Sequence, residues 1–177
     1  MVGLPNPPDP LPPPHTRLGV GGVLLLDGKV LVNRAVYRER FTIPSGYVEV
    51  GEEPEQAVVR EFQEETGVEV RVGSLLLVRH RVVGPHESDV YLAFRLEYRA
   101  GEPAAKPPEI AEIRLVPLEA VAEAHWISSL SRLAVRLAST PGWPRSAWRG
   151  ADVPASPAVA YHRSLEEEDA RAPPSDG

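Results

Sequence analysis

The chain has no cysteine, which removes disulfides, thiolate metal ligands and cysteine nucleophiles together. It has no basic surplus either: 25 acidic side chains against 19 basic ones leave a net charge of -6. Nucleic acid and anionic membranes therefore find no complementary footprint, although a polyphosphate can still bind where metal ions stand between the two anions. No apolar run preceded by basic residues opens the sequence, so neither a signal peptide nor a membrane span is read there. The chain opens on proline instead, at Pro5, Pro7, Pro8, Pro10, Pro12, Pro13 and Pro14. Residues 1–14 read as a polyproline-like or disordered arm, with a ligand for a proline-recognition domain as the alternative. The 177 residues suffice for one domain with a buried core. The lack of cysteine and of an export signal fits a reducing compartment, and the cytoplasm is the expected location.

Local patterns divide the rest. Arg17 to Leu26 is an apolar strand pattern, Asp27-Gly28 is a hairpin turn, and Lys29 to Arg34 returns as a second strand. Phe41 to Val50 is short and mixed, punctuated by Pro44, Gly46 and Gly51. Pro54 opens a helix at the position where a missing N–H costs nothing, and Gly67 is placed to cap it after Thr66. Val68 to Val83 reads as one long strand or two short ones, Gly84-Pro85 as a turn, and Val90 to Tyr98 as a strand. A loop over 101–108 leads to a last strand, Ile110 to Val116, and then to helical segments at Pro117 to Ala122 and Ser128 to Ala138. The pattern predicts a domain over 15–138, of α/β (α+β) class, with helices on the faces of a mixed sheet. Residues 139–177 read as a tail rich in Pro, Ala and Arg, partly docked or disordered, with Trp143 and Trp148 as the groups that would dock.

The predicted helix carries the chemistry. Glu61, Glu64 and Glu65 fall at i, i+3 and i+4 and so share one side, with only Arg60 near enough to offset them. Ala57, Val58 and Phe62 occupy the opposite face, suited to packing on a sheet. Three like charges on one face cost a few tenths of a kcal/mol per pair. A solvated acidic face is one explanation and a bound cation is the other. Oxygen ligands without His or Cys would select Mg2+, Mn2+ or Ca2+ over zinc.

The wider spacing separates the two explanations. Gly46, five residues, Glu52, seven residues, then Arg60-Glu61-Phe62-x-Glu64-Glu65-x-Gly67-Val68 resembles the Nudix signature at every position. The lead-in Phe41-Thr-Ile-Pro-Ser-Gly is similar to the family's aromatic-x-x-Pro-Gly-Gly segment, with Ser45 in place of the first glycine. Residues 17 to 137 resemble a MutT-like Nudix domain, an α/β/α sandwich.

The resemblance implies a hydrolase that cuts a phosphoanhydride in a nucleoside diphosphate linked to a group X, with Mg2+ as cofactor and Mn2+ as substitute. It makes Glu61, Glu64 and Glu65 the metal-facing carboxylates, with Glu61 or Glu64 accepting the proton of the attacking water. Arg60 would orient the glutamates, Glu52 would support the metal, and the backbone carbonyl of Ser45 or Gly46 would be a further ligand. A carboxylate outside the motif is expected to complete the site, Glu112 in preference to Glu109. Arg34, Tyr47 and Gly46 are the candidates for substrate contact, with Tyr37 and Phe41 as further stacking candidates. ADP-ribose-like or dinucleotide compounds and nucleoside triphosphates both remain open as substrates, and a homodimer as the assembly. The competing class is a non-catalytic domain that senses a nucleotide; the intact glutamates argue for the enzyme. Isoprenoid diphosphate isomerase needs a cysteine that is absent.

Overall fold

A computed structural model describes residues 15–140 and the backbone of residues 160–163. The proline-rich arm, Trp143 and Trp148 lie outside the described residues. β1 (His15–Leu26) and β2 (Lys29–Ala35) form the expected hairpin. Asp27 and Gly28 both take positive φ, 47° and 74°, as a tight two-residue hairpin loop demands. β4 (Glu69–Gly84) and β5 (Glu87–Ala100) form a second, longer hairpin. β4 is one continuous strand, and its register shifts at several points along β5.

These hairpins join through a parallel pairing of β1 with β5, from His15 opposite Glu87 to Leu24 opposite Leu96. β6 (Ile110–Pro117) lies antiparallel beside β2, and β7 (Ala160–Arg163) parallel beside β4. The order β6-β2-β1-β5-β4-β7 is thus a mixed sheet, as expected from the sequence. β3 (Ser45–Tyr47) was not foreseen. It pairs antiparallel with Gly19, Val20 and Gly21 of β1 and is defined by that partner, since three residues carry no periodicity of their own.

Strand alternation sends side chains to two separate cores. Val20, Leu24, Leu31 and Phe94 meet Ala57, Val58 and Phe62 of α1 (Pro54–Thr66) on one face. Val23, Val30, Val32 and Ala93 meet Leu133, Ala134 and Leu137 of α3 (Ser129–Ser139) on the other. α2 (Leu118–Val121) is a single turn between β6 and α3. The result is a helix, sheet, helix sandwich in which α1 is pinned by its apolar face. Phe62 is fully buried, a contribution of about 1.5–3 kcal/mol by area. No helix among the described residues is long and apolar enough to cross a membrane.

Candidate active site

α1 begins and ends where its sequence dictates. Pro54 occupies the first turn, the Gln56 side chain accepts from the Glu53 N–H at 3.0 Å, and Gly67 at φ 73° returns its N–H to the Gln63 carbonyl. With Phe62 turned into the core, Glu61, Glu64 and Glu65 project along the side of the helix that faces β3 and solvent. Arg60 organises this side. It forks onto Glu52 with two 2.9 Å bonds, reaches Glu61 at 2.9 Å and Glu64 at 3.2 Å, and donates to the Tyr47 carbonyl at 3.1 Å. The bidentate Arg60 contact is the main reason the Glu52 carboxyl is held down at about 2. Glu52 also accepts the Glu49 N–H at 3.1 Å, which closes the loop before the helix.

Glu65 and Glu61 are less well compensated than Glu52. Glu65 accepts from the Asn33 amide at 2.9 Å and from the Ser45 N–H at 2.8 Å. Burial nonetheless pushes its carboxyl up to about 7, with Glu61 adding to the rise. Burial also raises Glu61, against the pull of Arg60, and Glu64 and Glu109 push in the same direction. Glu61 lies directly on Gly46: a Cβ there would stand 2.0 Å from the Glu61 carboxyl carbon. Ser45 sits opposite Gly21 in β3 and turns its N–H away from β1 towards Glu65. In an antiparallel strand the carbonyl of a residue shares the edge of its N–H, so the Ser45 carbonyl also faces α1.

These donors are all hard oxygens, one arginine is shared among Glu52, Glu61 and Glu64, and the half-buried Glu65 is held by neutral donors, so the set fits a hard divalent cation. Among the described residues no three carboxylate or imidazole groups already converge as a metal cage. Arg60 holds Glu52, Glu61 and Glu64, while Asn33 and Ser45 hold Glu65.

Two expected residues fall elsewhere. Glu112 is not brought to the glutamate cluster: it bonds Arg114 at 2.7 Å and Arg34 at 3.4 Å. The cause is strand alternation. Position 112 stands opposite Arg34, one residue along from Asn33 and so on the opposite face of β2 from the side chain that holds Glu65. Arg34 therefore spends its charge on Glu112 and on the Phe41 ring, 5.7 Å away. Phe41 is buried, edge-on to Trp126 at 5.1 Å, and Tyr37 is exposed. Of the two carboxylates outside the motif, Glu109 is the one whose charge acts on Glu61.

A cleft of about 390 Å³ opens on the far side of β3. Gly46 and Tyr47, two of the candidates for substrate contact, line it, and so does Ser45. Its far wall comes from β4 and β5: Arg79, Arg81, Asp89 and Tyr91. Asp89 is buried and bonds Arg79 at 3.0 and 3.1 Å and Arg81 at 3.1 Å. Tyr91 fills the space left by Gly21, and its hydroxyl bonds the Ser45 side chain. Burial pushes that hydroxyl well above its usual range. Ser45 thus touches both sides of β3, the Glu65 carboxylate through its N–H and the cleft through its hydroxyl. None of Asn33, Arg79, Arg81 and Asp89 stood out in the sequence. A readable signal existed for one pair: folding β4 onto β5 through the turn at Pro85 sets Arg81 opposite Asp89.

The NUDIX domain model matches residues 15–134, and the chain belongs to the Nudix family. An ADP-ribose pyrophosphatase of Methanocaldococcus jannaschii is 42% identical over 65 residues, 35% of this chain and 38% of that protein. Nudix hydrolase 5 of Arabidopsis thaliana is 30% identical over 125 residues, 66% of this chain and 41% of that one. A MutT-like protein of Streptomyces ambofaciens is 32% identical over 125 residues, 69% of this chain and 79% of its own length. The chain thus spans less than half the length of the first two relatives. In structure, a MutT Nudix hydrolase from Burkholderia pseudomallei shares the fold at a TM-score of 0.60 and 23% identity, over 70% of this chain and 98% of that one.

Proposed function

We propose that this chain is a divalent-metal-dependent hydrolase that cleaves the diphosphate of a nucleoside diphosphate linked to a second group. The observation that carries the reading is the Arg60 network, in which one guanidinium holds Glu52 of the preceding loop and Glu61 and Glu64 of the helix, beside the half-buried Glu65. A merely solvated acidic face has no reason to set two half-buried carboxylates against Gly46 and Ser45. The relative described as an ADP-ribose pyrophosphatase supports ADP-ribose-like or dinucleotide compounds, and nucleoside triphosphates stand beside them as the second substrate class.

Glu61, Glu64 and Glu65, with the Ser45 carbonyl and Glu52 in support, would hold Mg2+ or Mn2+. The ion supplies charge neutralisation and Lewis acidity at the diphosphate. Water adds to one phosphorus, the anhydride P–O bond breaks, and the departing phosphate leaves with the electron pair. Glu61 or Glu64 takes the proton of the water. Glu64 is the more exposed of the two, and Glu61 is the better fixed, between Arg60 and Gly46. Arg60 is a positioning residue, its donors engaged by carboxylates and a backbone carbonyl. Tyr47 offers an exposed ring at the mouth of the cleft for a base. The reading includes action in the cytoplasm, with a homodimer as the assembly, which light scattering measures.

A panel of ADP-ribose, NADH and dGTP with Mg2+, read as phosphate or nucleotide release, tests the reading. Activity should vanish in EDTA, and Glu64→Gln should lose about 10²–10⁴-fold in kcat. Full activity in EDTA sinks the metal assignment. Binding of a nucleotide without turnover of any of the three favours the sensing domain.

A further inference from the structure

The cleft beyond β3 holds charge that the glutamate site does not use. None of Glu52, Glu61, Glu64 and Glu65 lines it, and Asp89 is the single acid that does, against Arg38, Arg79 and Arg81. Asp89 is buried and shared by two guanidiniums, so it fixes both. Arg79 is also set over the Tyr91 ring, 5.8 Å from its centre. Its Nη2 serves both Asp89 oxygens, and its Nε is buried without a hydrogen-bond partner among the described residues. A buried guanidinium N–H left unpaired costs free energy that an acceptor would recover. The N-terminal turn of α3, Ser128 to Ser131, lines the same cleft, with the positive end of the helix dipole turned to it.

We propose that Arg79, anchored with Arg81 on Asp89, is a specificity-determining anion subsite, and that the preferred substrate carries one further oxyanion, a carboxylate or phosphate, outside its scissile diphosphate. This rests on the hydrolase reading above. A neutral sugar or base would be served by the serine hydroxyls and Tyr47 and would leave Arg79 without a further anion to hold. A fixed guanidinium fork matches an oxyanion in shape as well as sign. The diphosphate itself belongs with the carboxylates on the other side of β3, so the anion taken here is an additional one.

Matched pairs that differ by one anion provide the test: UDP-glucuronate against UDP-glucose for a carboxylate, and NADP against NAD for a phosphate. Each is measured as kcat/KM with Mg2+ and, in Glu64→Gln protein, as binding by calorimetry. The anionic member should be favoured by ten-fold or more in one pair, which identifies the kind of anion. Arg79→Gln should bring that ratio to within about two-fold of unity, and Arg79→Lys should restore part of it. Arg71→Gln, at an exposed β4 arginine paired with Glu97, should leave the ratio unchanged. Equal handling of both members in both pairs, a preference that survives Arg79→Gln, or no binding of any of the four compounds overturns the proposal. Preferential binding without turnover in the parent protein keeps the subsite and removes the hydrolase reading.

Discussion

Gly46 has no side chain, and Glu61 occupies the space one would need. A methyl group there must displace the carboxylate, because the backbone of β3 is tied to β1. Misplacing a catalytic group by about 1 Å costs on the order of 10²-fold in rate. Gly46→Ala should therefore lose about that much in kcat/KM while keeping its far-ultraviolet circular dichroism, and a variant with parental kcat/KM would separate Glu61 from the chemistry. Arg60 acts at the same scale but on stability. The Glu52 carboxyl titrates at about 2 in the fold against 4.5 as its ordinary value. A depressed acid contributes stability that is present above about 4.5 and is lost as pH falls towards 2. Arg60→Gln should thus lower Tm at pH 6, and the gap to the parent should close between pH 4.5 and 2. A constant gap across that window would show that Arg60 does not stabilise through Glu52.

α1 separates two roles on two faces. Phe62 and Ala57 face the sheet, fully buried, while Glu64 on the other side is largely exposed. Phe62→Ala should cost about 3–5 kcal/mol, a large part of the stability of a domain this size. Glu64→Gln should change stability by no more than a few tenths of a kcal/mol, since relieved repulsion offsets the lost Arg60 contact, while kcat falls as predicted above. Urea unfolding of both variants checks the contrast, and a Glu64→Gln protein clearly less stable than the parent would mark that glutamate as structural. This division was legible in the sequence because a helix is a local object: Pro54, Gly67 and the spacing of Phe62 against the glutamates all lie within fifteen residues or so. The β1–β2 hairpin was legible for the same reason, through Asp27-Gly28. Non-local pairings were not. β3 exists only because Gly19 to Gly21 accept it, and the parallel join of β1 to β5 brings together segments with no turn between them. The pairing of Glu112 with Arg34 and Arg114, away from the other glutamates, has the same origin, since the register of β6 on β2 decides which face a carboxylate takes. Asn33 stands beside Arg34 in β2 and Arg79 beside His80 and Arg81 in β4, and only the assembled sheet sets one beside Glu65 and the other in the cleft.

Across the whole molecule, a net charge of -6 conceals an uneven distribution. Among the described residues acid gathers on α1 and its loop while three arginines line the cleft across β3, so under the proposed reading a phosphorylated substrate would be drawn to the cleft and would need a counterion at the helix. The metal-free domain should therefore be strained at neutral pH, and the strain has a defined window. Glu65 titrates at about 7 in the fold against 4.5 as its ordinary value, so between those values the folded chain holds a proton that the unfolded chain has released. Stability then falls as pH rises through 4.5 to 7, the opposite sense from Glu52. A divalent ion on the carboxylates favours their ionised forms and binds the folded state alone, which reverses the trend. In EDTA, Tm should decline from about pH 5 to 7.5, and Glu65→Gln should flatten that decline. Saturating Mg2+ or Mn2+ should raise the parent Tm most at the alkaline end of the range, and the rise should be lost in Glu65→Gln. A metal-induced rise that is the same at pH 5 and 7.5 would place the ion away from the buried carboxylates, and the glutamate face of α1 would then need another explanation for the charge it gathers.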